Sequence, residues 1–227
     1  EWFFKYLMAL PYRRKALRGT RRSRRIHTDQ EALVVGNGPS AGKLNWNKVA
    51  AEQKNGLQVF TINYFPLSEA SNVCTPNYIV LSDPITKPNV VTNSRTQELW
   101  EKVRETPNTT LVVPISWFYL IQGDSELAER TLFFDDSGLE GWTKNISPTR
   151  ARGYLPLTAY KALAFAGYLD FKRINIIGID NSMFRTVAVD FENRIIQYPN
   201  HFFERGAVTT DISGAYPKGI NDYFRDM

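Results

Sequence analysis

Cysteine and histidine, the residues that form disulfides and zinc sites, are scarce in this chain. The 227-residue sequence contains one cysteine, Cys74, and two histidines, His27 and His201. A single cysteine cannot form an internal disulfide, and we expect a buried reduced thiol rather than a nucleophile. His27 lies in a basic segment and is expected to be solvated. With so few histidines and cysteines, the sequence predicts no metal site of the usual zinc type.

Acidic side chains are scarce at the start of the chain but not in the rest of it. Residues 1–25 hold nine basic side chains and one acid, a net charge of +8, whereas the remainder holds 19 basic and 22 acidic side chains, a net charge of −3. Positive charge across the folded surface is typical of nucleic-acid-binding enzymes. The mildly acidic body therefore argues against nucleic acid as a partner.

The apolar stretch at the start of the chain is too short to span a bilayer, and Lys5 and Pro11 interrupt it. Aromatic and aliphatic side chains come first, and the basic cluster follows. This order suits the headgroup region of an anionic membrane, where each lysine or arginine contributes about 1 kcal/mol. We predict a basic amphipathic leader over residues 1–28. Residues 1–25 would contact an anionic membrane surface or, equally, form a solvated tail whose aromatics pack on the protein.

After the leader, short apolar strands alternate with helices. Strands are predicted at ALVVG, GLQVFTINYF, NYIVLSDP, NTTLVVPIS and KRINIIGID, and helices at AGKLNWNKVAAEQ, SRTQELWEKVRET and GYLPLTAYKALAFAGYLDF. This alternation predicts a doubly wound, mostly parallel sheet of the Rossmann-like α/β class, in a single nucleotide-binding domain over residues 29–227. Residues 114–150 fit the pattern poorly because acids, glycines and aromatics interrupt it, and we predict a lid-like insertion there.

The first strand runs into the glycine loop, residues 36–40, with the sequence GNGPS. Ligands of parallel sheets bind beyond the carboxyl ends of the strands, and a helix N-terminus there favours an anion. A Walker A loop is rejected because the glycine spacing is wrong and Leu44 follows Lys43 where serine or threonine is needed. A dinucleotide site is disfavoured because the second strand ends in Asn63, without a carboxylate for the ribose. The amides and hydroxyl present can hold a nucleotide without a metal, or the asparagines can simply cap turns.

Four segments of the chain follow one another in a familiar order: VVGNGPS, TINYF, a strand ending in SDP, and RGYLPLTAYKALAFAGYLDFKRINIIGID. In order and spacing they resemble the bacterial sialyltransferases of lipooligosaccharide synthesis, glycosyltransferase family forty-two. In that family a helix ending in G-Y leads to a strand ending in G-I-D, and Gly167, Tyr168 and residues 178–180 match these points. The likeness covers roughly residues 32 to 211.

The resemblance implies a metal-independent, inverting transfer of a sialic-acid-like sugar from a CMP-sugar to a glycan or glycolipid acceptor. It implies no cofactor beyond the CMP-sugar donor, because helix N-termini and side-chain donors can meet the charge of one leaving phosphate. It also implies a cytoplasmic protein, peripheral on the inner face of the membrane, since the acceptor is lipid-linked. The oligomeric state stays open, with a homo-oligomer among the options.

The resemblance also assigns binding residues. Those expected to contact the donor are Gly36, Asn37, Gly38, Ser40, Asn63, Asp83, Pro84, Gly153 and Asp180. Arg152, or Arg150, is expected to pair with the carboxylate of the donor sugar.

The expected catalytic residues depart from the family's pattern. The family's base is the second histidine of an H-x-x-x-H stretch, whereas this chain has His201 at the first position and Arg205 at the second. Arginine cannot act as a base at neutral pH, so His201 is the predicted base. The runner-up bases are Asp211 and Glu204. Two family tyrosines after G-I-D are replaced by residues 181–184, and Arg185 could supply positive charge in their place.

Two other functions fit the same sequence. A metal-dependent, pyrophosphokinase-like phosphotransferase would use Asp83 and Asp180 at strand ends to hold Mg²⁺ and a triphosphate. A catalytically inactive nucleotide-binding protein would keep the fold and lack the base. Metal dependence and turnover separate these alternatives from a glycosyltransferase.

Overall fold

A computed structural model describes residues 2–88, 94–137, 139–140, 147–150, 152–153, 157–180, 186–192, 194–198, 201–203 and 210–211. In chain order its helices and strands are α1 (Trp2–Arg22), β1 (Glu31–Val35), α2 (Trp46–Lys54), β2 (Gln58–Ile62), α3 (Glu69–Val73), β3 (Tyr78–Val80), α4 (Ser94–Arg104), β4 (Thr110–Pro114), α5 (Phe118–Gln122), α6 (Ser125–Glu129), β5 (Thr131–Phe134), β6 (Leu139–Glu140), β7 (Arg152–Gly153), α7 (Thr158–Leu169), β8 (Arg173–Ile177), β9 (Val187–Val189), β10 (Ile195–Gln197) and β11 (Thr210–Asp211). Short 3-10 helices form at Pro39–Lys43, Phe65–Leu67, Pro84–Thr86 and Ile115–Trp117.

Six strands form one parallel sheet, flanked by helices, in the order β5-β4-β3-β2-β1-β8. The chain builds the sheet outward from β1 in one direction and then returns to place β8 on the other side of β1, so the strand order reverses there. Val34 pairs with Phe60, and Val80 with Val112, which fixes the register of the central strands. The prediction of a Rossmann-like α/β fold is confirmed.

The central strands are buried on both faces. Four of the five residues in each of β1, β2 and β4 are buried, and all three residues of β3. Helix α7 contacts β1, β2 and β3, and buries Ala162, Phe165 and Leu169. Strands covered on both faces read as continuous apolar runs, which is why the sequence predicted them.

Part of the predicted lid over residues 114–150 belongs to the sheet. Thr131–Phe134 forms β5, the edge strand, and Val112 pairs with Leu132 across β4 and β5. The segment before it folds into one 3-10 helix and two five-residue helices. Elements this short show no helical periodicity, so the sequence pattern suggested an insertion. Residues 141–146 lie outside the described part of the chain.

The predicted leader is a helix packed against the sheet. Helix α1 continues through Pro11. It contacts β5 and the 3-10 helix Ile115–Trp117, and its buried residues are Ala9, Ala16, Leu17 and Thr20. Among the described residues, no helix combines the length and apolar character needed to cross a membrane.

His27 is half-buried and in contact with core residues rather than solvated, which corrects the expectation from sequence. Its Nε2 lies 2.8 Å from the Tyr78 hydroxyl, its Nδ1 contacts Gln30 Oε1, and its ring stacks on Phe171 with centroids 4.5 Å apart. Burial lowers the pKa of His27, and the contact with Gln30 partly opposes this shift. The tertiary neighbours come from β3 and from the turn before β8, which local sequence around His27 does not reveal. Cys74 is a buried free thiol, as predicted.

The chain divides into two compact units. The first comprises Glu1–Gly36 and Asn45–Ile176 and contains the parallel sheet. The second comprises Asn37–Leu44 and Ile177–Met227. It contains an antiparallel sheet in the order β11-β10-β9. The predicted site residues fall in both units.

Candidate functional site

The glycine loop follows the carboxyl end of β1 and leads into the 3-10 helix Pro39–Lys43. Pro39 takes the first position of that helix, where its missing N–H is not needed. Helix α2 begins later, at Trp46, capped by Asn45, whose Oδ1 accepts a hydrogen bond from Lys48 N at 3.1 Å. The predicted single helix after the loop is therefore split in two, and the loop does not open an α-helix.

Inside the second unit, hydrogen bonds join the glycine loop to residues 178–180. Gly38 N donates to Gly178 O at 2.8 Å, and Gly178 N donates to Ser40 Oγ at 2.9 Å. Ser40 N and Ser40 Oγ both donate to Asp180 Oδ2 at 3.0 Å. G-N-G-P-S and G-I-D, two of the motifs that carry the family resemblance, thus form one hydrogen-bonded cluster.

Two glycines of this cluster are required by geometry. A Cβ atom added to Gly38 would lie 2.2 Å from Asp180 Oδ2 and 2.7 Å from Gly178 O, closer than atoms can approach. Gly178 has a φ of +76°, in the left-handed region that favours glycine. Packing and backbone conformation therefore explain the glycines of the two motifs, whether or not a ligand binds there.

Asn37 and His201 belong to the same second unit. Asn37 is 6% exposed, and its backbone oxygen accepts a hydrogen bond from Phe202 N at 2.9 Å. The His201 side chain is exposed, and its ring stacks on Phe203 with centroids 5.4 Å apart. The loop is thus joined by its backbone to the segment that carries the predicted base.

Several predicted residues can be placed only in part. Arg152 and Gly153 form β7 and pair with Leu139 and Glu140 of β6. The side chains of Arg152 and Asp211 lie outside the described part of the structure, as do residues 181–184, Arg185, Glu204 and Arg205. Arg150 is described and exposed.

Asn63, at the end of β2, is held in a left-handed backbone conformation with a φ of +44°. Asparagine is among the few non-glycine residues that adopt this conformation readily. Its Nδ2 donates to Thr158 Oγ1 at 3.2 Å, whereas its Oδ1 is buried and has no hydrogen-bond partner within the described residues. A buried polar atom left unpaired costs about 1–3 kcal/mol, so a ligand donor at this oxygen would be stabilising.

A series of polar side chains, which we call the polar relay, connects Asn63 to α7. Thr158 Oγ1 lies 2.7 Å from Ser82 Oγ, and Lys161 Nζ donates to Ser82 Oγ at 3.0 Å. The Lys161 ammonium also lies 5.5 Å from the centre of the Phe134 ring. The relay (Asn63, Thr158, Ser82 and Lys161) thus places a cation beside the carboxyl ends of the strands.

A cavity of about 410 Å³ lies in the first unit, at the carboxyl ends of β3, β4 and β5. Its polar wall includes Tyr12, Ser82, Lys87, Ser116, Asp136 and Lys161. Trp117 and Phe134 supply aromatic surface, and Met8 from α1 also lines it. The cavity therefore lies at the edge of the sheet where ligands of this fold class bind.

Asp136 is the carboxylate in this cavity wall. Ser116 Oγ donates to Asp136 Oδ2 at 2.6 Å, and Ser116 N donates to Oδ1 at 3.2 Å. Burial raises the pKa of the Asp136 carboxyl, and the hydrogen bonds from Ser116 oppose that shift. The adjacent Asp135 is fully buried and pairs with Arg13 at 2.6 Å. The Asp136 side chain is half-buried, and a carboxylate with a raised pKa in a polar cavity is a candidate for acid–base chemistry.

Asp83 and Pro84 stand at the end of β3. Asp83 Oδ1 accepts a hydrogen bond from Ile85 N at 3.1 Å and caps the 3-10 helix Pro84–Thr86. The Asp83 side chain is exposed, and Pro84 lines the cavity. Within the part of the chain that the structure describes, no group of three or more histidine, cysteine, aspartate or glutamate side chains could hold a metal ion.

The predicted site residues divide between the two units. Gly36, Asn63, Asp83, Pro84, Arg152 and Gly153 belong to the first unit, and Asn37, Gly38, Ser40, Asp180 and His201 to the second. The sequence analysis missed Ser82, Ser116, Asp136 and Lys161. Three of these, Ser82, Ser116 and Asp136, stand two residues after the end of a strand. Because β3 and β4 were predicted, this position could have identified Ser82 and Ser116 from the sequence. Asp136 could be identified in this way only if the edge strand β5 was also predicted.

Comparison with family models and with curated proteins gives no match for this chain. The likeness to sialyltransferases therefore rests on the quoted motifs. The fold and the site define the class of protein: a Rossmann-like α/β protein with a polar cavity at the carboxyl edge of its sheet.

Proposed function

We propose that the protein is a metal-independent, inverting glycosyltransferase that moves a sialic-acid-like sugar from a CMP-sugar to a glycan acceptor. The polar relay at the carboxyl edge of a Rossmann-like sheet is the observation that supports this most. Its cation, hydroxyls and amide are the groups that an anionic sugar nucleotide needs when no metal takes part.

Lys161 is proposed to neutralise the donor. Its ammonium is positioned by Ser82 Oγ and by the face of the Phe134 ring. As the bond between sugar and phosphate breaks, negative charge grows on the phosphate of CMP, and a cation fixed in advance stabilises that charge. The buried Asn63 Oδ1 offers an acceptor for a hydroxyl or amino group of the nucleotide.

In the second unit, Ser40 and Asp180 are proposed to act by holding the shape of the glycine loop. The Ser40 amide N–H and the Ser40 hydroxyl both donate hydrogen bonds to Asp180, so both donors stabilise the loop itself. Asn37 and Gly38 remain the predicted nucleotide contacts there. Arg152 remains the predicted partner of the donor's carboxylate, and His201 the base predicted from sequence.

A peripheral position on the inner face of a membrane is part of the proposal. Helix α1 exposes the apolar side chains of Phe4, Leu7 and Leu10. Among the described side chains of α1 and the turn after it, seven basic ones are exposed: Arg14, Lys15, Arg18, Arg21, Arg22, Arg24 and Arg25. Apolar side chains beside basic ones support binding to anionic lipid, at about 1 kcal/mol per basic residue near the surface.

Thermal unfolding with CMP, CDP, UDP, or ATP plus Mg²⁺, each with and without EDTA, tests the class of ligand. A ligand at a hundredfold its Kd adds about 2.7 kcal/mol of stability. We expect stabilisation by CMP that EDTA leaves unchanged. Stabilisation by ATP and Mg²⁺ alone would instead favour the phosphotransferase, with Asp83 and Asp180 as metal ligands.

A lysine substitution tests the relay itself. We expect Lys161→Met to weaken CMP binding about tenfold or more, because it removes the fixed cation. The matched control is Lys54→Met, which removes an exposed lysine in the last turn of α2. Release of CMP from CMP-N-acetylneuraminate then measures turnover. A wild-type protein that binds CMP but releases none from this donor would favour the inactive nucleotide-binding protein.

A further inference from the structure

The cavity of the first unit is lined by two hydrogen-bonded pairs of different chemistry. Lys161 and Ser82, from the polar relay, line one part, and Asp136 and Ser116 line another. Trp117 adds an aromatic surface. A cation with a hydroxyl suits an anionic group, whereas a carboxylate beside an aromatic ring suits the hydroxyls and apolar face of a neutral sugar. The cavity volume of about 410 Å³ falls within the range of about 300–1,000 Å³ typical of ligand sites.

The charged groups around Asp136 come from several elements. Asp135 adjoins it in the chain, and the guanidinium of Arg13 from α1 pairs with Asp135. Lys87 and Lys161 line the same cavity. Tyr12 of α1 also lines the cavity, and burial and then the charge of Asp136 raise its pKa. Asp136 itself is positioned by the amide and hydroxyl of Ser116.

We infer, building on the proposed function, that this cavity is the acceptor site and that the Asp136 carboxylate takes the proton of the acceptor hydroxyl. The acceptor oxygen bonds to the anomeric carbon while its proton moves to Asp136. The bond between the anomeric carbon and the phosphate oxygen breaks, and its electron pair leaves with CMP. The products are the inverted glycoside, CMP, and protonated Asp136, which returns its proton to solvent.

The environment of Asp136 suits this role. A general base is most effective when its pKa approaches the working pH. Burial raises the pKa of Asp136 above its usual value, and the hydrogen bonds from Ser116 oppose that rise. Ser116 is therefore a positioning residue, and it also sets how far the pKa of Asp136 is raised. The assignment gives Asp136 the role that the sequence alone gave to His201.

Saturation-transfer NMR with lactose, a neutral glycan, tests the acceptor site. We expect lactose to bind the wild-type protein and Asp136→Asn to weaken that binding about tenfold. The reason is that hydrogen bonds from sugar hydroxyls to a charged carboxylate are stronger than those to a neutral amide. The matched control is Asp124→Asn, since Asp124 caps α6 and asparagine caps helices equally well. Lactose binding that is unchanged in Asp136→Asn overturns the inference, as does CMP binding without lactose binding.

Transfer from CMP-N-acetylneuraminate to lactose tests the base. We expect Asp136→Asn to lower the rate by about 100-fold or more and to abolish the fall in rate at acidic pH. Ser116→Ala removes the hydroxyl hydrogen bond that lowers the pKa of Asp136 and keeps the one from the backbone amide. That pKa should therefore rise, and the acidic limb should move to higher pH. His201→Ala should keep the wild-type acidic limb.

The two hypotheses fail in different ways. If the wild type transfers the sugar and Asp136→Asn does so at the same rate, the base assignment is wrong. The proposal of a glycosyltransferase would not be affected by that result. A pH–rate profile of Ser116→Ala identical to that of the wild type would also contradict the base assignment. If the wild type binds no CMP and cleaves no CMP-sugar, the proposed function and the base assignment fall together.

Discussion

The hydroxyl of Thr20 in α1 is bonded twice to the backbone of Phe133 in β5. Thr20 Oγ1 donates to Phe133 O at 2.7 Å and accepts from Phe133 N at 3.0 Å. Strand β5 is the edge of the sheet, where unpaired backbone groups would otherwise be exposed. A helical side chain thus takes the place of a neighbouring strand, and α1 completes the first unit.

Thr20→Val should destabilise the protein by about 1–3 kcal/mol, because it leaves a buried N–H and a buried C=O without this partner. Urea unfolding measures the change. Thr20→Ser keeps the hydroxyl and should cost less than Thr20→Val. A loss in Thr20→Ser as large as that in Thr20→Val would mean that the methyl group contributes as much as the hydrogen bonds, and would contradict this account.

Gly38→Ala should disrupt the glycine loop, because the new Cβ would lie 2.2 Å from Asp180 Oδ2 and 2.7 Å from Gly178 O. We expect a loss of about 1–3 kcal/mol, the usual cost of overpacking, and faster proteolysis of the second unit. Gly42→Ala is the matched control, since its Cβ would lie 3.5 Å from Phe202 Cβ. Removing the Asp180 side chain should not rescue Gly38→Ala, because the contact with Gly178 O remains.

We expect the protein to lose stability as the pH falls, and His27 to contribute to that loss. Burial lowers the pKa of His27 below its usual 6.5, so the unfolded chain binds a proton that the folded chain resists. The contribution of His27 is therefore complete above about pH 6.5 and is lost as the pH falls from there toward the lowered pKa. Urea midpoints in His27→Gln, measured between about pH 5 and pH 8, should show a flatter dependence than the wild type. An unchanged slope would contradict this account.

Replacing three exposed arginines of α1, Arg14, Arg18 and Arg21, by glutamine should weaken binding to anionic vesicles about 100-fold. Each contributes about 1 kcal/mol near such a surface, and salt should weaken wild-type binding as well. Deleting α1 would instead uncover the edge of β5, so point substitutions are the cleaner test. The matched control replaces the exposed lysines Lys48, Lys54 and Lys172 by glutamine. Equal losses with both sets would indicate an effect of net charge alone.

Cys74 should react with a thiol reagent only when the protein unfolds. Burial raises the pKa of its thiol to about 11, and its Sγ contacts Gln53 Oε1 at 3.1 Å. The thiolate, which is the reactive form, is therefore scarce at neutral pH and shielded from reagent. Absorbance with dithionitrobenzoate should stay low until urea is added. Prompt reaction in the native protein would show that the helix at Ala70 and the chain after it open readily.

The centre of the parallel sheet was predictable because strands β1 to β4 are covered on both faces. Strands such as β1 and β4 are then short apolar runs bounded by polar residues, a pattern that needs no knowledge of neighbours. The edge strand β5 was missed because two five-residue helices precede it and acids follow it. The same error hid Asp136, since its position after a strand has meaning only when that strand is recognised.

The sequence by itself determined the fold class, the glycine loop at the end of β1 and the asparagine at the end of β2. These depend on local chemistry: apolar runs, the steric need for glycine, and asparagine's tolerance of a left-handed backbone. Only the tertiary structure decided that Thr20 covers an edge strand, that His27 is half-buried, and that Asp136 and Lys161 line one cavity. Burial and electrostatic environment depend on residues far apart in the chain, so no local pattern could have contained them.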